Sequence, residues 1–130
     1  MKFQEILKDK LKRKYEFHAA RKLTKLDKNH PCTNLHGHTF SIKVKVSGSN
    51  LDEHGWLMDF YDIDSVFNKN IHSKLDHKYL NDIDGLSNPT TENLSMWIWN
   101  KLKNDLVGLE SVTVSEGNSY GCTYYGEKNG

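Results

Sequence analysis

An α+β domain is what this sequence predicts, on three observations. Apolar and polar residues alternate in two stretches of the first fifty residues. Two stripes of apolar residues at spacings of four occupy the middle, and alternation returns near the end. The order strand, strand, helix, helix, strand, strand gives antiparallel hairpins with segregated helices.

Each element has its own warrant. From Arg13 to Leu23, Tyr15, Phe17 and Ala19 alternate with Glu16, His18 and Ala20, the period of a strand. The polar segment from Thr24 to Leu35, with Pro31, predicts a long loop. From His38 to Gly48, Phe40, Ile42, Val44 and Val46 face one way and Ser41, Lys43, Lys45 and Ser47 the other, a half-buried strand with a wet face. Tyr61 to Leu75 places Ile63, Phe67, Ile71 and Leu75 on one helical stripe. A second helix starts after Pro89, with Thr90 or Thr91 as hydroxyl cap and Glu92 in the first turn, where the helix dipole favours a carboxylate. Its stripe is Leu94, Ile98, Leu102 and Leu106, with Trp97 and Trp99 as packing residues and Gly108 as its end. Ser111 to Glu116 and Ser119 to Gly126 read as the last two strands.

At 130 residues the chain is expected to form one domain. Counted with Gly and without Tyr, its apolar share is about 38%, against ~45–50% for typical domains. A core that thin points toward subunit association. With 18 Lys+Arg against 17 Asp+Glu, the chain lacks the footprint of a dedicated nucleic-acid binder. The basic run from Lys8 to Lys14 reads as a solvated face. No stretch approaches the ~18 apolar residues of a membrane span. The first residues also lack the apolar run of a secretory signal. A cytoplasmic location is therefore expected, with Cys32 and Cys122 as reduced thiols.

Three clusters carry chemistry. The first is Cys32-Thr33-Asn34-Leu35-His36-Gly37-His38. If the following strand extends back, both imidazoles share the side of Phe40 and Ile42, an arrangement that suits zinc; otherwise they are polar residues at a turn. Cys32 is open to reading as a small buried residue. The second is Asp76-His77, where a carboxylate can orient a ring for proton transfer. The third is Glu116, which shares strand parity with Val112 and Val114. A carboxylate on an apolar face needs a partner, either a ligand with paired N–H donors or an internal hydrogen bond.

Six segments in order then resemble one family. They are Phe17-His18-Ala19-Ala20, Cys32 to His38, Gly55-Trp56-Leu57-Met58-Asp59-Phe60, Leu75 to Asp82, Asn88-Pro89-Thr90-Thr91-Glu92 and Val114-Ser115-Glu116. Together they resemble the bacterial 6-carboxytetrahydropterin synthases, relatives of the 6-pyruvoyltetrahydropterin synthases, from about Phe17 to Glu127. The three residues between Cys32 and His36 fit the carboxytetrahydropterin branch better.

The resemblance implies a tunnel fold: a four-stranded antiparallel sheet with two helices on one face, its barrel completed by a homo-oligomer, trimer or hexamer. It implies a lyase acting on 7,8-dihydroneopterin triphosphate, releasing acetaldehyde and triphosphate on the route to queuosine and other 7-deazaguanines. The alternatives are pyruvoyl-type triphosphate elimination and a non-catalytic pterin-binding paralogue. By the same resemblance His36 and His38 hold Zn2+, Cys32 is the general base, Asp76 and His77 return the proton, and Glu116 anchors the pterin. Thr90, Thr91 and Glu92 are cap residues first and ligand contacts second. Two positions depart from the pattern. Arg21 stands where the family's third zinc ligand is expected, leaving His18, His30, water or substrate, or no zinc at all as the alternatives. Gly117 follows the anchoring Glu where relatives often carry Thr.

Overall fold

The structure, a computed structural model, describes residues 9–127. Five strands form one sheet: β1 (Asp9–Arg21), β2 (His36–Gly48), β3 (Lys78–Tyr79), β4 (Leu109–Glu116) and β5 (Tyr120–Tyr124), in the order β3-β1-β2-β4-β5. The four long strands are antiparallel neighbours, as expected. The fifth, β3, is a correction to the four-stranded expectation: two residues pair parallel to Ala19 and Ala20 of β1. Its register is set by His77, whose φ of 58° aims its N–H at the His18 carbonyl, 2.6 Å away. No periodicity marks so short a strand.

Buried apolar residues of the strands keep one parity across the sheet. Phe17, Phe40, Ile42, Val44, Val112 and Val114 are fully or almost fully buried and face the helices, so all helices pack on one face. The other face carries Lys12, Lys14, Lys43 and Lys45, exposed or half-buried. Of the basic run, Lys10 pairs with Glu110 at 2.9 Å and Arg13 holds Asp64 through two nitrogens, at 2.8 and 3.2 Å; Lys8 lies outside the described residues.

The first helical segment is not one α-helix. α1 (Phe60–Phe67) passes into a π turn at Asn68–His72 and then α2 (Ser73–Leu75). The reason lies in the spacing. Positions four apart drift by about 40° per step in an α-helix of 3.6 residues per turn, so Ile63 and Leu75 would lie about 120° apart. A wider π turn absorbs the drift, and Ile63, Phe67, Ile71 and Leu75 all reach the core. Tyr15 fixes α1 to β1 by stacking on Phe67 at 3.8 Å while its hydroxyl donates to Asp64 at 2.6 Å.

α3 (Thr91–Leu102) is capped by Thr90, whose hydroxyl accepts from the Asn93 N–H at 3.0 Å. It ends at Leu102, short of the expected Gly108, but Leu106 remains buried in the following turn. Trp97 packs in the core with its indole N–H donating to the Asp84 carbonyl.

Candidate active site

The inward parity of the sheet continues past its apolar core into polar residues. Register sets Arg21 opposite His36, Ala19 opposite His38, and Phe40 between Phe17 and Glu116. Arg21, His36, His38 and Glu116 therefore meet at one end of the buried face. β2 does extend back to His36, and the two imidazoles stand perpendicular with centroids 4.5 Å apart. His36 donates through Nδ1 to the Asn34 carbonyl at 2.6 Å, which leaves its Nε2 lone pair available. His38 Nε2 lies 3.4 Å from Glu116 Oε1.

Arg21 is the residue that sequence reasoning placed without a role. Its side chain is 5% exposed. One terminal nitrogen donates to Glu116 Oε1 at 2.6 Å and the other to the Pro89 carbonyl at 2.9 Å. The guanidinium lies 5.1 Å from the Phe40 ring centroid. The second Glu116 oxygen accepts from the Thr91 hydroxyl. Thr90 thus serves as the cap, and Thr91 turns toward the site.

Charge follows from this packing. Burial works to raise the Glu116 pKa, but the Thr91 hydroxyl and the Arg21 guanidinium prevail, and the carboxyl titrates below its usual value of 4.5. His38 titrates below 6.5, chiefly because burial disfavours the imidazolium; Arg21 and His36 add to the effect and Glu116 opposes it. Near neutral pH the corner holds a carboxylate, a guanidinium and a neutral His38. Glu116, Thr91, Glu92, Ser119, Tyr120, Gly121 and Cys122 also line a cleft of about 500 Å³.

Asp76 and His77 come together at the sheet edge. Asp76 Oδ1 accepts the His18 backbone N–H at 3.0 Å, and Oδ2 lies 3.5 Å from His77 Nε2 and 3.6 Å from His72 Nε2. The His18 N–H is the main reason the Asp76 carboxyl titrates below its ordinary value, the surrounding histidines adding to it. His18 itself faces away from Arg21, with Nδ1 2.9 Å from the Thr39 hydroxyl. His18, His38 and His77 line one open cleft of about 580 Å³ with Gly37, Thr39 and Tyr79. His38 thus borders both regions.

Cys32 stands apart. It lies in a single 3-10 turn (Pro31–Thr33), its N–H donating to His30 Nδ1 at 3.1 Å and its carbonyl accepting from Leu23. Among the described residues no hydrogen bond joins Cys32 to Asp76 or His77. His30 is spent on that turn rather than on the histidine pair. Thr91 was legible only as a cap, because its partner Glu116 lies 25 residues away; His72 was legible only as a helix residue, although Asp76 follows four positions on.

The residues present do not fit a catalytic zinc centre, which takes three protein ligands. His36 and His38 supply two donors, and a buried guanidinium fills the third position. Among the described residues no three His, Cys, Asp or Glu side chains gather as a metal site.

The fold, with its one-faced helices and polar sheet end, is that of the solved Caenorhabditis elegans 6-pyruvoyl tetrahydropterin synthase. The TM-score is 0.83 at 26% identity, over 92% of this chain and 96% of that one. The 6-pyruvoyl tetrahydropterin synthase family model matches residues 10–127, and the chain belongs to that family. A 6-carboxy-5,6,7,8-tetrahydropterin synthase of Synechocystis is 36% identical over 118 residues, 87% of this chain and 90% of its own. A dihydroneopterin monophosphate aldolase of Pyrococcus furiosus is 40% identical over 90 residues, 67% of this chain and 75% of its own.

Proposed function

We propose that this chain is a lyase of the 6-carboxytetrahydropterin synthase type, converting 7,8-dihydroneopterin triphosphate to 6-carboxytetrahydropterin with loss of acetaldehyde and triphosphate, on the route to queuosine. The observation that carries this reading is the position of His38. It touches the Glu116 cluster on one side and lines the His77 cleft on the other. A bicyclic ring held at Glu116 can thus extend its side chain toward the Asp76–His77 pair.

In this reading Glu116 accepts from the ring N–H and amino group, using oxygen lone pairs left free by Arg21 and Thr91. Asp76, ionised at neutral pH, lies 3.5 Å from His77 Nε2, and in this reading orients the ring to deliver a proton to the side chain. Cys32, as general base, removes the side-chain proton. Since no hydrogen bond joins Cys32 to Asp76 or His77 among the described residues, in this reading a neighbouring copy completes the site, in a trimer or hexamer. The polar, uncovered sheet face and the thin apolar share support that assembly.

The second reading is a monophosphate aldolase, favoured by the Pyrococcus relative. Incubating the protein with dihydroneopterin triphosphate or monophosphate and assaying acetaldehyde and pterin products by mass spectrometry separates the readings. Acetaldehyde with a 6-carboxy product from the triphosphate supports the first. A product keeping its three-carbon side chain indicates pyruvoyl-type elimination, cleavage of the monophosphate alone indicates the aldolase, and binding without turnover a paralogue. Cys32→Ala is expected to lower turnover by about a hundredfold or more with pterin binding retained; normal turnover would remove Cys32 from the mechanism.

A further inference from the structure

We propose that Arg21 replaces the divalent metal as the fixed cation of this site, so that His36, His38 and Arg21 form a metal-free hydrogen-bonding corner for a hydroxyl-bearing substrate side chain. The inference deepens the pterin reading and rests on it for the substrate.

Three observations carry it. First, the guanidinium is held, not adrift. β1 parity turns Arg21 inward, and Glu116 and the Pro89 carbonyl fix its two terminal nitrogens. A planar fork gripped at both ends cannot swing away to admit a metal without giving up its bonds to the half-buried Glu116 carboxylate and to the Pro89 carbonyl. Second, the donors are incomplete and the charge is already supplied. His36 and His38 are the two imidazoles present, while the charge of Glu116, the nearest carboxylate, is already balanced by Arg21. A divalent cation here would face a permanent positive charge across the shared carboxylate. Third, the corner retains unused hydrogen-bonding capacity. Arg21 Nε is buried without a partner, so the side chain's donors are not all satisfied internally. His36 keeps an Nε2 lone pair because Nδ1 donates to Asn34.

An imidazole acceptor beside a guanidinium suits a substrate hydroxyl. The O–H donates to His36 Nε2, and the oxygen sits in the positive field of Arg21. As negative charge develops on that oxygen during proton removal, the preorganised cation stabilises it, the task that a Lewis acid performs elsewhere.

Zinc alone tests the first half. Calorimetric titration of the purified chain, treated with chelator and then dialysed, is expected to show no stoichiometric binding, and elemental analysis well under one zinc per chain. Arg21→His, which restores a third imidazole, is expected to bind zinc at least about tenfold more tightly than the parent. One tightly held zinc per parent chain overturns the proposal, and that measurement needs no variant to fold. For the second half, turnover of the pterin triphosphate by the parent is expected to survive chelator unchanged; loss on chelation and recovery with zinc overturns it. Absence of turnover under every condition, together with zinc exclusion, would refute the pterin reading and leave the metal exclusion standing.

Discussion

Removing the Glu116 carboxylate isolates the energetics of the site. In Glu116→Ala the Arg21 guanidinium keeps one partner, the Pro89 carbonyl at 2.9 Å, and loses its 2.6 Å carboxylate. Arg21 is 5% exposed and Glu116 17%. Breaking a buried ion pair from one side costs about 3–5 kcal/mol, because a charge is stranded. The surviving Pro89 bond and the partial exposure of Glu116 place this case at the lower end, about 3 kcal/mol. For a domain of this size that corresponds to a Tm lowered by roughly 10 °C. Arg21→Met strands the better-solvated partner, which keeps Thr91, and is expected to cost about 1–2 kcal/mol. In the double variant neither charge is stranded, and the expected loss is about 2 kcal/mol, less than the sum of the singles. Equilibrium urea unfolding followed by tryptophan fluorescence completes the cycle. A coupling below about 0.5 kcal/mol would refute the claim that the two residues act as one buried unit.

Two further outcomes follow from the same structure. Stability is expected to fall on acidification. His38 titrates below 6.5 in the folded chain, so protons favour the unfolded state as pH drops through and below 6.5. The Glu116 contribution is complete above 4.5 and is lost as pH falls through its depressed folded value. Urea midpoints measured between about pH 7 and pH 3 should show a shallower acid limb in Glu116→Gln, with Asp64 and Asp76 supplying the residual slope; an unchanged limb would contradict the assignment. Separately, Gly108→Ala is expected to destabilise by about 1–3 kcal/mol, since φ is 86° and a Cβ would collide with the Ser47 carbonyl oxygen. A neutral result in thermal unfolding would show that the turn between α3 and β4 relaxes freely.

What the sequence displayed and what it concealed divide along the range of the interactions involved. Alternation and four-residue stripes are local, so the antiparallel strands, the buried face and the inward set of His36, His38 and Glu116 were legible. The π turn was legible in principle, since three successive spacings of four do not suit a 3.6-residue period, but one helix was the simpler reading. β3 was not, because its two residues owe their pairing to a left-handed His77 rather than to any pattern. Arg21 marks the deeper limit. Strand parity put it on the inner face, and the family pattern described it only as a missing ligand. Its partners are Pro89 and Glu116, separated from it by 68 and 95 residues. No spacing rule links position 21 to position 116; only the folding of β1, β2 and β4 into one sheet does. Once that sheet exists, the substitution is not a simple deletion. A histidine at position 21 would leave the Glu116 carboxylate to Thr91 and His38, whereas Arg21 pairs it directly, so the same change that removes a zinc donor also supplies the charge that the carboxylate and a substrate oxygen would otherwise draw from a metal.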